Sequence, residues 1–120
     1  MTNLSDLLFQ HKAELRDLYV RARRYPFAAS VELTDLQSEI HVKRRAIDLS
    51  LYGCGVAASK PFSAGTRVRI RITHRGGNFV ALGRVIYALA DGEMGIVFTR
   101  VEQNDQIILE KWIGEQRGQK

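Results

Sequence analysis

The chain of 120 residues suits a single domain, and its 45% hydrophobic content is enough for a core, which excludes wholesale disorder. A formal net charge of +5 favours anionic partners, namely a nucleotide, a nucleic acid or an acidic protein surface, without choosing among them. The one cysteine excludes an internal disulfide, and we predict a reducing compartment, the cytoplasm.

Residues 4–23 have the spacing of an amphipathic helix. Its apolar stripe comprises Leu4, Leu8, Leu15 and Leu18, widened by Leu7 and Tyr19. Pro26 ends the pattern, because the residue before a proline avoids helical angles. Residues 1–20 are therefore predicted to be a helix that packs on its own domain, on a second copy in a homodimer, or on another protein. The opening MTNLSDLLFQHK has no cationic run before an apolar stretch, so neither a signal peptide nor a membrane span is predicted.

After Pro26 the apolar residues recur at every second position, which is typical of strands. The predicted strand segments are 31–33, 40–42, 47–49, 66–74, 78–89 and 94–98. Segment 78–89 is apolar at both alternate sets of positions, as in a strand covered on both faces. A change of phase predicts a bulge near residues 43–46. Gly83, inside the long segment 78–89, indicates a bend.

Helical spacing returns at residues 103–117, with Asn104 or Asp105 as the cap. The predicted apolar face consists of Ile107, Ile108, Trp112 and Ile113. About six short strands between two helices predict a mainly β fold, a six-stranded antiparallel β-barrel with an N-terminal and a C-terminal helix, since closure leaves no exposed edge. The barrel domain with its helix spans residues 21–117, and residues 118–120 form a tail.

The stretch DLSLYG (48–53) carries chemistry that suits a nucleotide. Alternation places Asp48 and Ser50 on one face of a strand end, and Gly53 allows the backbone to come close to a ligand. A carboxylate can accept the N1–H and amine of guanine, and a hydroxyl can donate to a phosphate. Alone the motif is weak, because such residues occur in many turns.

A basic run, RARRYPF (21–27), precedes the strands, and we call it the arginine segment. Arg21, Arg23 and Arg24 lie before Pro26, where the chain could fold over a bound ligand. The planar guanidinium fork suits both the acceptor edge of guanine and phosphate oxygens. A short arginine cluster usually lies in solvent, so the two motifs gain weight only together.

The arginine segment comes first, the DLSLYG motif follows it, and the barrel pattern continues to the C-terminal helix. With this order of features the chain resembles the PilZ family, which binds the bacterial second messenger cyclic di-GMP. The resemblance runs from about Arg21 to Ile113 and is carried by RYPF, DLSLYGCGV, VRIRI, FVALGRVIY, MGIVF and LEKWI. It implies a six-stranded barrel with a C-terminal helix, an arginine-rich switch loop before the first strand, and no catalytic activity. It also implies a ligand that often binds as an intercalated dimer.

One position departs from the family's loop motif, which has two arginines with three residues between them. Arg24 matches the second, but the first falls on Val20, and Arg21 and Arg23 are out of register. Arg21 could take over, because a slip of one residue is small against the reach of its side chain. Alternatively, the lack of an arginine at Val20 reduces the affinity for cyclic di-GMP. The intact DxSxxG motif favours binding.

Three further residues are candidate ligand contacts. Arg44 and Arg45 come just before Asp48, and Tyr87 stands where the family often has an aromatic residue, although a core or rim tyrosine is the more ordinary interpretation. Cys54 is predicted to be a small buried residue. The sequence does not indicate a base, a nucleophile and an orienting group within mutual reach, so no enzyme is predicted. The histidines lack the spacing of metal ligands, and neither a metal nor a cofactor is predicted.

Three functions remain as hypotheses. The first is a cyclic di-GMP receptor in which the ligand orders the arginine segment and moves the N-terminal helix. The second is a PilZ adaptor that has lost the nucleotide and binds a downstream protein. The third, a nucleic-acid-binding barrel, rests on the row of Arg67, Arg69 and Arg71, and the scarcity of aromatic residues beside that row counts against it.

Overall fold

A computed structural model describes residues 17–118 of the chain. Residues 17–21 are helical and are labelled α1. The strands are β1 (Tyr25–Pro26), β2 (Ser30–Asp35), β3 (His41–Leu49), β4 (Gly53–Ala57), β5 (Arg67–His74), β6 (Gly77–Leu89) and β7 (Glu93–Val101), and the chain continues into α2 (Gln103–Gly118).

Six strands close into an antiparallel barrel, as the sequence predicts. The sheet runs in the order β3, β2, β5, β6, β7, β4, and β4 pairs in turn with β3. The two-residue strand β1 continues the edge of β3 beyond β2, pairing Tyr25 with Leu49 and Pro26 with Asp48. This pairing brings the end of the arginine segment beside the DLSLYG stretch.

The bulge in β3 lies slightly later than predicted. The register with β4 shifts between Ala46 and Asp48, so the extra residue is Ile47 rather than one of residues 43–46. Ala46 and Leu49 are buried in the core. The extra residue therefore lets Ala46 and Leu49 both face inward, while Ile47 and Asp48 between them point to the outer face of the barrel. A second shift, between Leu82 and Gly83, accompanies the bend expected at Gly83.

The barrel interior is filled by one residue in two along each strand. On β5 the buried residues are Val68, Ile70 and Ile72, and the arginines between them are exposed. The rings of Phe79 and Phe98 pack with their centroids 4.9 Å apart. Strand β4 was not located from the sequence, and its Cys54 and Val56 complete the same core.

The C-terminal helix packs on β6 with most of the predicted face, since Trp112 and Ile113 are buried and Ile108 packs against the core. Its buried residues are Leu109, Trp112 and Ile113, whereas Ile107 is exposed. Asp105 is not a cap, because its Oδ1 accepts a hydrogen bond from the N–H of Val80 at 2.9 Å and so ties the helix to the sheet. The first turn instead closes on the carbonyl of Glu102, which accepts from Gln106.

The N-terminal helix ends earlier than predicted. Helical structure stops at Arg21 instead of residue 23, and the chain then runs extended into β1. Residues 4–16 of the predicted helix, including most of its leucine stripe, lie outside the described residues. Within residues 17–118, the structure contains no helix with the length and apolarity needed to cross a bilayer.

Candidate functional site

The outer surface of the barrel lacks side chains at three neighbouring positions of β4 and β7. Gly53 and Gly55 on β4 face outward between the core residues Cys54 and Val56, and Gly55 pairs with Gly95 of β7. We call the patch formed by Gly53, Gly55 and Gly95 the glycine floor. A flat backbone surface of this kind allows rings and carboxylates to approach closely.

Each glycine of the floor is covered by one side chain. The carboxylate of Asp48 lies over Gly55, so that an added Cβ would sit 2.9 Å from Oδ1. The ring of Tyr87 lies against Gly95. The ring of Tyr19, from α1, lies over Gly53, with Cδ1 2.7 Å from the position of an added Cβ.

Asp48 is held by the backbone of the neighbouring strand. Its Oδ1 accepts a hydrogen bond of 2.7 Å from the N–H of Gly55. The residue is only half-buried, so its carboxylate is both oriented by the protein and reachable from outside.

Ser50 stabilises the turn between β3 and β4. Its side chain is fully buried, and its Oγ accepts hydrogen bonds from the N–H groups of Tyr52 and Gly53 at 3.1 and 3.2 Å. The same Oγ lies 3.4 Å from the carbonyl oxygen of Gly53. In this conformation the hydroxyl serves the turn, which differs from the phosphate-donating role predicted for it.

Arg24 is the arginine that contacts Tyr19, the side chain that lies at Gly53. Its guanidinium carbon lies 5.3 Å from the centroid of the Tyr19 ring, and Nη1 lies 3.5 Å from the Tyr19 hydroxyl. That contact raises the pKa of Arg24, and the nearby Asp48 carboxylate and Tyr87 contribute in the same direction. Arg24, Asp48, Tyr87 and Gly53, four of the predicted residues, therefore meet at one place.

The same environment shifts the pKa of Tyr87. Burial raises the pKa of its phenol, the neighbouring Glu93 adds to the rise, and Arg24 opposes it. Its hydroxyl donates to Oε1 of Glu93 at 3.3 Å. These contacts hold the ring flat against Gly95 at the edge of the site.

Arg21 and Arg23 are directed elsewhere. Arg21 Nε pairs with Asp17 at 3.2 Å on the exposed side of α1. The guanidinium of Arg23 lies 5.0 Å from the centroid of the Tyr25 ring, whose hydroxyl accepts from Arg117 of α2 at 3.3 Å. In this arrangement neither arginine contributes to the floor.

Arg44 and Arg45 lie on opposite faces of β3. Arg44 shares the face of Ala46, which points into the barrel, and its Nη1 donates to the carbonyl of Lys43 at 2.7 Å. Arg45 is exposed on the outer face, the face of Asp48, and pairs with Ala57. By strand geometry, Arg45 is thus the one better placed to reach a ligand.

Tyr19 was not recognised from the sequence as a site residue. It stood in the predicted apolar stripe of the N-terminal helix. In the structure it is 1% exposed, although it contacts the outer face of the barrel. Burial is the main reason why the pKa of its phenol is strongly raised, and the hydrogen bond from Arg24 acts in the opposite sense.

A closed six-stranded antiparallel barrel with the DLSLYG turn between β3 and β4, the arginine segment beside it and a C-terminal helix defines a class of small β-barrel domain. The sequence profile of the PilZ domain matches residues 18–115. The chain belongs to the PilZ domain family.

Solved structures of the same family share the fold. The chain is similar to the PilZ domain of CeSA from a cellulose-synthesizing bacterium, with 24% identity and a TM-score of 0.66 over 80% of this chain and 99% of that one. It is also similar to the PilZ domain of Escherichia coli YcgR with c-di-GMP, with 19% identity and a TM-score of 0.64 over 81% and 90%.

A third similar structure is the Bacillus subtilis inhibitor of motility, MotI/DgrA, at 14% identity and a TM-score of 0.68. The alignment covers 83% of this chain and 52% of that protein. A search of curated proteins finds no match to the chain.

Proposed function

We propose that the protein is a receptor for cyclic di-GMP that binds the nucleotide on the glycine floor. The observation that carries the proposal is the neighbourhood of two side chains: Asp48 lies over Gly55, and Arg24 contacts Tyr19, whose ring lies at Gly53 on the same strand. The presence of c-di-GMP in the similar YcgR PilZ domain supports the choice of ligand. No catalytic step is part of the proposal, and we expect the protein to act in the cytoplasm.

The chemistry of the site matches the two ends of the nucleotide. Asp48 presents a fixed carboxylate, which can accept the N1–H and amine of a guanine placed over the bare backbone of the floor. Arg24 can bind the opposite edge of the base or a phosphate through its planar fork. Arg21 and Arg23 would have to leave Asp17 and Tyr25 to join it, and Arg45 is a further cation on the same outer face.

The need for Arg21 to leave Asp17 before it can bind a ligand suggests how binding could be signalled. Arg21 belongs to α1, so recruiting it to a ligand would move the helix relative to the barrel. The ligand would favour the rearranged state only by the difference between its affinities for the two arrangements. We propose that this movement of α1 is the output that a downstream protein detects.

Isothermal titration of the full chain with cyclic di-GMP tests the proposal. Arg24→Ala and Asp48→Asn should each weaken binding by about tenfold or more, since one charged hydrogen bond is worth ~1.5–3 kcal/mol. Arg67→Ala, which removes an equally exposed arginine from the remote strand β5, is the matched control and should bind like the wild type. The absence of binding heat at high micromolar ligand would refute the receptor function.

A second candidate, a protein-binding adaptor, is favoured by a different observation. Leu18 and Val20 are 42% and 62% exposed in the described part of α1, so both apolar side chains are available to contact another protein. If they bind a second copy of the chain, light scattering should show a mass that rises with concentration. The double substitution Leu18→Ser with Val20→Ser should abolish that rise. A monomer mass at all concentrations would exclude the homodimer.

A further inference from the structure

The strongest unexplained feature of the molecule is the position of Tyr19. Its side chain is 1% exposed, yet it does not belong to the hydrophobic cluster that fills the barrel and contacts α2. It is buried instead between the outer face of β4 and Arg24. Its burial therefore fixes α1 to the outside of the barrel and does not fill the core.

The Tyr19 ring is enclosed in the way a bound base would be. Its Cδ1 and Cε1 atoms lie 2.7 and 2.8 Å from the position of an added Cβ at Gly53, and the Arg24 guanidinium carbon lies 5.3 Å from the ring centroid. The hydroxyl is within 3.5 Å of Arg24 Nη1. Aromatic rings and purines are both recognised by flat surfaces and by stacked guanidinium groups. The ring and a guanine at Gly53 would therefore require the same space and the same arginine.

We propose that Tyr19 is an intramolecular plug that occupies the base-binding part of the glycine floor and must leave before cyclic di-GMP can bind. The inference rests on the proposed receptor function and adds a regulatory element to it. In the plugged state Arg24 is engaged by the protein itself. The apparent affinity for the nucleotide is then reduced by the fraction of molecules in which the plug is open.

The plug is attached weakly enough to be displaced. Among residues 17–21, Tyr19 is the one buried side chain, and its neighbours Leu18 and Val20 are exposed. Within residues 17–21, opening therefore uncovers one tyrosine and the Gly53 surface, and leaves the barrel core intact. Because Tyr19 lies in α1, release of the plug is also what frees the helix to move.

Isothermal titration with cyclic di-GMP separates this inference from the receptor function. Tyr19→Ala should bind about tenfold more tightly than the wild type, a change that corresponds to about 1.4 kcal/mol. Tyr19→Phe keeps the ring, loses only the hydroxyl contact with Arg24, and should lie between the two. Leu18→Ala, a truncation of an exposed neighbour on α1, is the control and should match the wild type.

The other outcomes are equally decisive. Equal affinity of wild type and Tyr19→Ala would overturn the plug and leave the receptor function standing. Weaker binding by Tyr19→Ala would also overturn it, because Tyr19 would then be a ligand contact. Absence of binding in every variant would overturn the receptor function and the plug together.

A measurement without ligand checks that the variants remain folded and that the plug is seated. In ¹⁵N spectra of the full chain, the ring over Gly53 should shift the Gly53 amide resonance, and this shift should be lost in Tyr19→Ala and retained in Tyr19→Phe. Resonances of the core strand β5 should be unchanged in both. An unaltered Gly53 amide in a folded Tyr19→Ala protein would overturn the inference.

Discussion

The side chain of Asp48 accepts a hydrogen bond of 2.7 Å from the backbone N–H of Gly55, its cross-strand neighbour. The contact depends on the bulge at Ile47, which turns Asp48 outward, and on the missing side chain of Gly55. A residue proposed to bind a ligand is thus also part of the fold. Its two roles can be separated by the choice of substitution.

Asp48→Ala should destabilise the protein by ~1–3 kcal/mol, because it leaves the Gly55 N–H without its acceptor. Asp48→Asn retains an acceptor oxygen and should cost much less, while still losing the charge that the proposed guanine contact needs. Urea unfolding followed by far-UV circular dichroism measures both values. Equal stability of the two variants would contradict the structural role of this bond.

Ser50→Ala should destabilise the protein by ~1–3 kcal/mol, since the N–H groups of Tyr52 and Gly53 would lose a buried acceptor. Ser59→Ala, at an exposed position in the next loop, is the matched control and should change the free energy of unfolding by less than ~0.5 kcal/mol. Urea midpoints provide the comparison. A Ser50→Ala protein as stable as the control would show that the hydroxyl is not needed for the turn.

Val20→Arg should increase the affinity for cyclic di-GMP by about tenfold, because it supplies the first arginine of the family's loop motif and one charged hydrogen bond. The side chain of Val20 is exposed, so the substitution should be tolerated. Leu18→Arg adds the same charge to the same helix outside the motif. If both variants gain equally, the effect is general attraction and the motif position is irrelevant.

Alkaline pH should destabilise the protein through Cys54. Burial raises the pKa of this thiol above its ordinary value of 9.0, and the Asp48 carboxylate adds to the rise. Above that pH the unfolded chain releases the thiol proton while the folded chain keeps it. The free energy of unfolding therefore falls as pH rises above 9.0, by up to ~1.4 kcal/mol per pH unit for one group.

Urea unfolding between pH 7 and 10.5, for the wild type and Cys54→Ala, checks this prediction. The variant should be less stable at pH 7, where it has lost core volume, but its stability should decline less steeply above pH 9. Parallel declines would mean that Cys54 does not contribute. Tyr19, whose pKa is also raised by burial, should add a similar decline at higher pH, and Tyr19→Phe should remove it.

Local patterns were sufficient to predict most of the barrel. Period-two alternation on β5 placed Val68, Ile70 and Ile72 in the core, where they are found. The closed six-stranded barrel and the C-terminal helix are confirmed, as is the family. Strand β4 escaped detection because two of its five residues are glycines, which lack the side chains that produce an alternating signal.

The candidate site was harder to predict because it depends on contacts between distant segments. Whether Arg24 or Arg23 faces Asp48 follows from the path of the chain between α1 and β1, which composition does not reveal. The position of Tyr19 over Gly53 requires both the end of α1 and the register of β4. The sequence also predicted that Ile107 of α2 is buried, whereas Leu109 is buried instead. The cause is similar, since the contact with β6 selects the buried face of the helix.

The packing of Trp112 offers a way to follow these events without a label. It is the sole tryptophan of the chain, and its ring centroid lies 5.6 Å from that of Phe27, the last residue of the arginine segment. Arg23 lies over the ring of Tyr25, whose hydroxyl accepts a hydrogen bond from Arg117 of α2, so recruiting Arg23 to a nucleotide would alter the helix that carries the indole. Its intrinsic fluorescence therefore provides a native optical signal for the switch, recorded in real time by stopped-flow mixing.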